Sequence, residues 1–202
     1  MTTRQRNLKR DHAIVTASRP QCRWFRWIAR QLEHALALIG LGTLIYCACF
    51  NLSRITSDSM KPTLRGQSTR TGDLVLMERI SYWFRRPHRW ELIAYRRDDG
   101  IQIMKRVVGL PGEKVQMRRG GQLVIDGKEI AVPEKLSFLK YIACGNVIGD
   151  KKVDCGDGYF VLGDYSLDSD DSRFNGPLPR GDVVGRPWVI LAPAGRRGFV
   201  NP

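Results

Sequence analysis

The chain has 202 residues, 43% of them apolar and 26% charged, with a net charge of +13. That length supports one folded domain plus a tail and can bury a sizeable core, and the composition excludes a wholly disordered or collagen-like chain. The positive excess narrows the partners of the surface to nucleic acid or anionic lipid.

The excess starts at the N-terminus, where Arg4, Arg6, Lys9, Arg10, Arg19, Arg23, Arg26 and Arg30 face only Asp11 and Glu33. Residues 1–21 are basic, polar and aperiodic, which predicts a disordered tail. In 22–34, Trp24, Trp27, Ile28 and Leu32 share one helical face and Arg23, Arg26 and Arg30 another. Aromatics and arginines beside an apolar run suit a membrane interface; a helix packed on soluble protein is the plainer alternative. Residues 35–50 carry no charge. Extended by Ile28 and Leu52, the segment reaches the ~17–25 residues needed to span a bilayer. The predicted interfacial and transmembrane helix is therefore 22–53, and it tips the basic surface toward lipid and away from nucleic acid. Lys and Arg are balanced on its two sides, but the orientation rule counts short loops. The tail is thus expected in the cytoplasm and the long C-terminal part outside. A cleavable signal peptide, cut near Ala48, is the competing reading.

From about residue 55 the pattern is β. Runs at 73–80, 90–95, 101–108, 114–119, 122–125, 159–162 and 183–192 read as strands. Asp126-Gly127 is a two-residue hairpin signal, Gly120-Gly121 marks a second turn, and Pro187 marks an edge or a bulge in the last strand. The predicted fold is mainly β: an antiparallel, barrel-like domain over 54–202, preceded by a single N-terminal transmembrane helix. Cys47 and Cys49 lie in the apolar run. Cys144 and Cys155 flank a short loop and form either a disulfide or two separate thiols, according to compartment. No Cys/His spacing resembles a zinc site.

Two residues stand out chemically. Strand alternation places Lys105 on one face with Ile101, Ile103 and Val107, where desolvation lowers the pKa of an amine. A neutral amine beside a serine hydroxyl acts as a general base; alternatively Lys105 reaches out to water from a half-buried strand. Ser59 lies in T-S-D-S-M-K-P-T-L (56–64), which reads as an exposed turn just after the apolar run. A Ser-His-Asp triad is hard to build: His12 is in the tail, His34 at the membrane edge, and His88 in a basic-aromatic loop. If Ser59 is a nucleophile, Lys105 is its base. The polar loop G-D-Y-S-L-D-S-D-D-S-R (163–173) can brace a site. As an acidic loop it is also a weak calcium candidate, through Asp164, Asp168, Asp170 and Asp171, without EF-hand spacing.

Together these segments resemble type I signal peptidases. Ser57, Ser59, Met60, Pro62, Thr63 and Leu64 match the family's serine box. Lys105–Gly112, K-R-V-V-G-L-P-G, matches its lysine box. Gly163, Asp164, Ser169, Asp171, Ser172 and Arg173 match its late box, and V-G-R follows at 184–186. The resemblance covers roughly residues 35–195. It implies Ser59 as nucleophile and Lys105 as general base, with the Ser59 N–H and Ser57 hydroxyl as oxyanion hole. It further implies that Ser169 orients the lysine, that Asp171 and Arg173 brace the site, and that Ile55, Met60, Leu64 and Met104 line the substrate pockets. No metal and no organic cofactor is implied. The implied partners are preprotein signal peptides with an Ala-x-Ala-like end, membrane lipid and the secretion translocon, at a bacterial plasma membrane. The segment of about 113–158 is short, which implies a small accessory insertion. Thr56, Asp58 and Tyr165-Ser166 depart from the family's usual residues.

A pilin-maturation or mitochondrial processing peptidase would use the same boxes. A DNA-binding Ser/Lys autoprotease would carry a helix-turn-helix pattern, which is missing, and a non-catalytic lipid- or nucleic-acid-binding domain would not need Ser59. The run Tyr82, Trp83, Phe84, Arg85, Arg86, Arg89, Trp90 reads either as a segment that dips into the membrane surface or as a packed loop with exposed arginines.

Overall fold

The computed structural model describes residues 21–66 and 71–200, without the side chains of residues 21 and 22. The tail expected over 1–21 lies outside the described residues except for Gln21. That residue opens α1 (Gln21–Cys49), a helix of 29 residues and ~44 Å at 1.5 Å per residue. Arg23–Cys49 is long and apolar enough to cross a membrane, and Leu36, Leu38, Ile39, Leu41 and Leu44 are all exposed.

The helix stops four residues short of the expected boundary. Phe50–Arg54 is instead a strand, β1, antiparallel to β2 (Leu74–Glu78) in the register Phe50↔Glu78 to Arg54↔Leu74. Asn51 and Ser53 are weak helix formers, and pairing with β2 satisfies the backbone of a segment whose apolar content continues that of the helix.

Tyr46–Pro202 forms one compact unit. Its larger sheet has seven strands in the order β1, β2, β10 (Val183–Ala192), β3 (Leu92–Arg96), β4 (Gln102–Gly109), β9 (Phe160–Leu162), with β11 (Gly198–Phe199) paired to β10. The smaller sheet has the order β7 (Lys128–Ile130), β6 (Leu123–Ile125), β5 (Lys114–Met117), β8 (Val153–Asp154). Every strand pair in both sheets is antiparallel. The larger sheet runs from β1 to β9 without those edges pairing, so the barrel-like sheet is open. β10 is the hinge strand: its first half pairs with β3 and its second half with β2. The register shift after Pro187 is the predicted bulge, required because proline has no N–H for the ladder. The β6–β7 hairpin turns through Asp126 (φ 50°) and Gly127 (φ 82°), both left-handed as a type I′ turn demands.

Among the described residues the unit also holds two short α-helices, α2 (Ser81–Phe84) after β2 and α3 (Ser172–Asn175) after the late loop. One apolar core lies between the smaller sheet and β4 and β9, around Val108, Val115, Met117, Leu123 and Phe160. A second lies under the serine segment, around Ile55, Met60, Leu64, Val75, Met77 and Met104. Cys144 and Cys155 are free thiols: Cys155 is buried in the first core, and the Cys144 sulfur accepts from Arg173 Nη1 at 3.2 Å. Burial pushes the Cys155 thiol up to about 11, which removes thiolate reactivity.

Candidate active site

Three segments converge: the turn after β1, the middle of β4 and the loop after β9. The first is folded by its own backbone. Ile55 N–H donates to Asp73 O at 2.8 Å, Lys61 N–H to Asp58 O at 3.0 Å and Leu64 N–H to Met60 O at 2.9 Å. Gly66 packs so closely on Ser57 that a Cβ would stand 2.3 Å from the Ser57 carbonyl oxygen, so only glycine fits. Asp58 turns outward to pair with Lys61 at 2.5 Å and to accept from Gly66 N–H at 3.0 Å. The Lys61 and Gly66 bonds hold its carboxyl below the usual carboxylate range. Its charge is therefore engaged away from Ser59.

Ser59 is 8% exposed and Lys105 2% exposed. Lys105 Nζ stands 2.9 Å from Ser59 Oγ and 2.9 Å from Ser169 Oγ. Ser169 Oγ donates onward to Asp171 Oδ2 at 2.7 Å. Lys105 sits opposite Ile93 in β3, a residue with no exposure. Burial lowers the lysine from 10.5 to about 8; Asp171 and Asp170 oppose that shift by favouring the charged form, and Arg173 adds to it. At pH 8 about half of such lysines are neutral, against fewer than ~1% of free ones.

Asp171 caps α3 through the Arg173 N–H and also accepts from Gly163 N–H at 3.0 Å. Its ion pair with Arg173 is closed, with Nε at 2.8 Å from Oδ1 and Nη2 at 2.9 Å from Oδ2. Arg173 Nη1 donates to Ser166 Oγ at 2.6 Å and to Ile142 O at 3.1 Å. A buried pair is tolerable only when its remaining donors and acceptors are satisfied in this way. Ser166, one of the departures in the late box, is thus part of the brace.

A second network was not legible as a site. Arg106, next to Lys105 and on the opposite face of β4, binds Asp164 through Nε and Nη2, both at 2.7 Å, and donates from Nη1 to Trp90 O at 2.7 Å. Thr63 Oγ1 donates to the same carboxylate at 2.5 Å. Both side chains of this pair have no exposure. Alternation along β4 was the available signal: if Lys105 faces one side, Arg106 must be buried on the other and needs a partner. The two neighbours on β4 therefore fasten the serine turn and the late loop from both sides of the strand. Tyr165 N–H closes the join by donating to Ser59 O at 2.9 Å.

Ser59 and Lys105 open onto a cavity of about 320 Å³ that Ile55, Met60 and Met104 also line. Leu64, grouped with them in the sequence, does not reach it; it has no exposure and belongs to the core beneath. Ser57 is exposed and lines the cavity, and its Oγ accepts from Ser59 N–H at 3.2 Å. The two expected oxyanion donors thus face each other across one hydrogen bond. His88 lies in the exposed loop before β3. A larger cavity of about 390 Å³, lined by Arg85, His88, Trp90 and Arg186, contains neither Ser59 nor Lys105 nor any residue that the resemblance assigns to the site. The four aspartates of the late loop do not gather. Asp164 and Asp171 are bound to arginines, and Asp170 accepts from Asn175 at 2.6 Å. Among the described residues no group of three His, Cys, Asp or Glu side chains is placed to hold a metal ion.

Residues 25–192 match the family model described as signal peptidase, peptidase S26. The chain belongs to that family and is a peptidase. It is similar to a signal peptidase I of Leptolyngbya laminosa, 34% identical over 85% of this chain and 80% of the relative. Two proteins of Bacillus subtilis (strain 168) are similar as well. Signal peptidase I V is 33% identical over 73% of this chain and 89% of its own length, and signal peptidase I U is 30% identical over 79% and 87%.

Proposed function

We propose that this chain is a membrane-bound signal peptidase I that cuts signal peptides from exported preproteins after an Ala-x-Ala-like motif, using Ser59 as nucleophile and Lys105 as general base. The observation that carries the reading is a buried amine, lowered to about 8, at 2.9 Å from a buried serine hydroxyl.

The chemistry follows from that contact. With Lys105 neutral, the Ser59 O–H donates to the Nζ lone pair while an Nζ–H donates to Ser169. Ser59 Oγ attacks the scissile carbonyl and its proton passes to Nζ. The oxyanion that forms takes the Ser59 N–H, and the Ser57 hydroxyl, released from its present bond to that N–H, rotates to donate as well. Nζ then returns the proton to the leaving amine, which departs as the new N-terminus of the mature protein. Water, deprotonated by Lys105, attacks the acyl-enzyme carbonyl; the bond to Ser59 Oγ breaks, Nζ hands its proton to that oxygen, and the signal peptide leaves as the carboxylate. Asp171, pinned by Arg173, holds Ser169 and through it the amine. Ile55, Met60 and Met104 leave room in the cavity for small side chains, which fits alanine at the cut.

The helix through Cys49 serves as the anchor in a bacterial plasma membrane, crossing once, with the tail in the cytoplasm and the β domain from Phe50 onward outside beside the secretion translocon. The test is processing of an Ala-x-Ala preprotein by the full chain in detergent or in vesicles. Ser59→Ala and Lys105→Ala should each abolish cleavage while the β signal in circular dichroism persists. Cleavage by the folded Ser59→Ala protein would reject the assignment.

A further inference from the structure

A second built site lies away from the serine, at the foot of α2. There Tyr82, Arg85, Arg86, Tyr159 and Arg180 line a small cavity of about 90 Å³. The Tyr82 and Tyr159 hydroxyls are buried without a hydrogen-bond partner, and Tyr159 has no exposure at all. Buried hydroxyls nearly always have a partner, so two orphans on one cavity call for a ligand that accepts. Burial raises both phenols above their ordinary value of 10.0, which keeps them protonated donors at any physiological pH.

The guanidinium groups point to the same kind of ligand. Arg86 and Arg180 act electrostatically on Tyr159, and neither forms an ion pair among the described residues. Arg85 is held in place by Glu91, at 2.8 and 2.6 Å, with its guanidinium 5.4 Å over the Tyr82 ring. Glu78 and Arg186 act on Tyr82 as well, so four arginines against two carboxylates leave the cavity cationic. Its side-chain hydroxyls and guanidiniums are donors, and its size suits a compact oxyanion. On the same turn Trp83 is 59% exposed and Phe84 85% exposed. Bare aromatics beside paired arginines are the surface chemistry of a headgroup boundary, and the chain carries its own candidate span.

We propose that this cavity binds the phosphate group of an anionic phospholipid, with the Tyr82 and Tyr159 hydroxyls and the Arg86 and Arg180 guanidiniums as donors, while Trp83 and Phe84 enter the acyl boundary. The site is independent of the Ser59 chemistry.

The test uses the full chain in maltoside micelles, with thermal unfolding followed as dihexanoyl phosphatidylglycerol or inorganic phosphate is added. Phosphatidylglycerol raises the Tm of the wild-type chain. In the Arg86→Gln/Arg180→Gln variant the required concentration rises by about tenfold or more, as expected for loss of charge-assisted bonds. Trp83→Ser/Phe84→Ser weakens the response to the lipid and leaves that to inorganic phosphate unchanged. Tyr159→Phe raises the Tm without ligand, because the orphan hydroxyl is gone, and lowers the lipid-induced shift. No shift in the wild-type chain, or an equal shift in the double-arginine variant, overturns the site. A shift with inorganic phosphate as large as that with lipid, unmoved by Trp83→Ser/Phe84→Ser, overturns the headgroup assignment.

Discussion

Replacing Ser169 by alanine isolates the part of the site that does no chemistry. In the native geometry Lys105 Nζ has two hydroxyl partners at 2.9 Å, and Ser169 passes the second contact to Asp171 at 2.7 Å. Alanine removes that partner and leaves the amine free to rotate its lone pair away from Ser59. Asp171 keeps Gly163 N–H and three Arg173 donors, so the brace itself survives. Losing one hydrogen bond on a buried polar group costs about 1–3 kcal/mol. Expressed fully in the transition state, that is a fall in kcat/KM of roughly 5- to 150-fold. The assay is hydrolysis of a signal-peptide substrate by the full chain in detergent, from pH 6 to 10, for wild type, Ser169→Ala and Ser169→Thr. The acid limb of the alanine profile should move, because the amine has lost its contact with the Asp171 chain, and threonine should restore most of the rate. An alanine variant with unchanged kcat/KM and profile, beside an inactive Ser59→Ala, would refute the role of Ser169 as the positioning residue.

The wild-type profile of kcat/KM should itself rise through about pH 8, the value to which burial lowers Lys105. A limb left near that of a free lysine, about 10.4, would contradict the base assignment. The same shift affects stability. Between about 8 and 10.5 the unfolded chain holds a proton on Lys105 that the folded chain does not, so this group's contribution to stability increases with pH across that window. On the other face of β4, Arg106→Met should destabilise the fold by about 3–5 kcal/mol in denaturant unfolding, because it strands Asp164 in the interior. Adding Asp164→Leu should recover much of the loss; if the double variant is no better than the single, the cost is one of packing and not of unpaired charge.

The mainly antiparallel β architecture was legible in the sequence because its strands alternate and its turns carry glycine. Asp126-Gly127 and Pro187 each did what their backbone chemistry requires. The meeting of Ser59 with Lys105 was implied by the resemblance to type I signal peptidases; strand alternation alone left Lys105 able to reach out to water. What stayed hidden depended on contacts remote in sequence. Phe50–Arg54 reads as the end of an apolar helix until β2 is there to pair with it. Arg106 and Asp164 each look like surface charges, and only the fold brings them together at 2.7 Å. Leu64 and Met60 share a segment and a core, yet only Met60 also reaches the cavity. The Cys144 and Cys155 thiols flank one loop, but one sits in an apolar core and the other against an arginine.

The smaller sheet leaves the frame at Gly109, the last residue of β4, and returns at Phe160, the first of β9. Those two residues face each other in the ladder. The chain between them is therefore a detour that begins and ends at one rung. Its outer hairpin can change length by insertion or deletion, but Ile142 and Cys144, which accept from Arg173, tie the later part of the detour to the brace of the site. A module spliced at this rung would leave the strands that carry the reacting groups in place only if it kept the Ile142 carbonyl for Arg173 and an apolar face for β4 and β9.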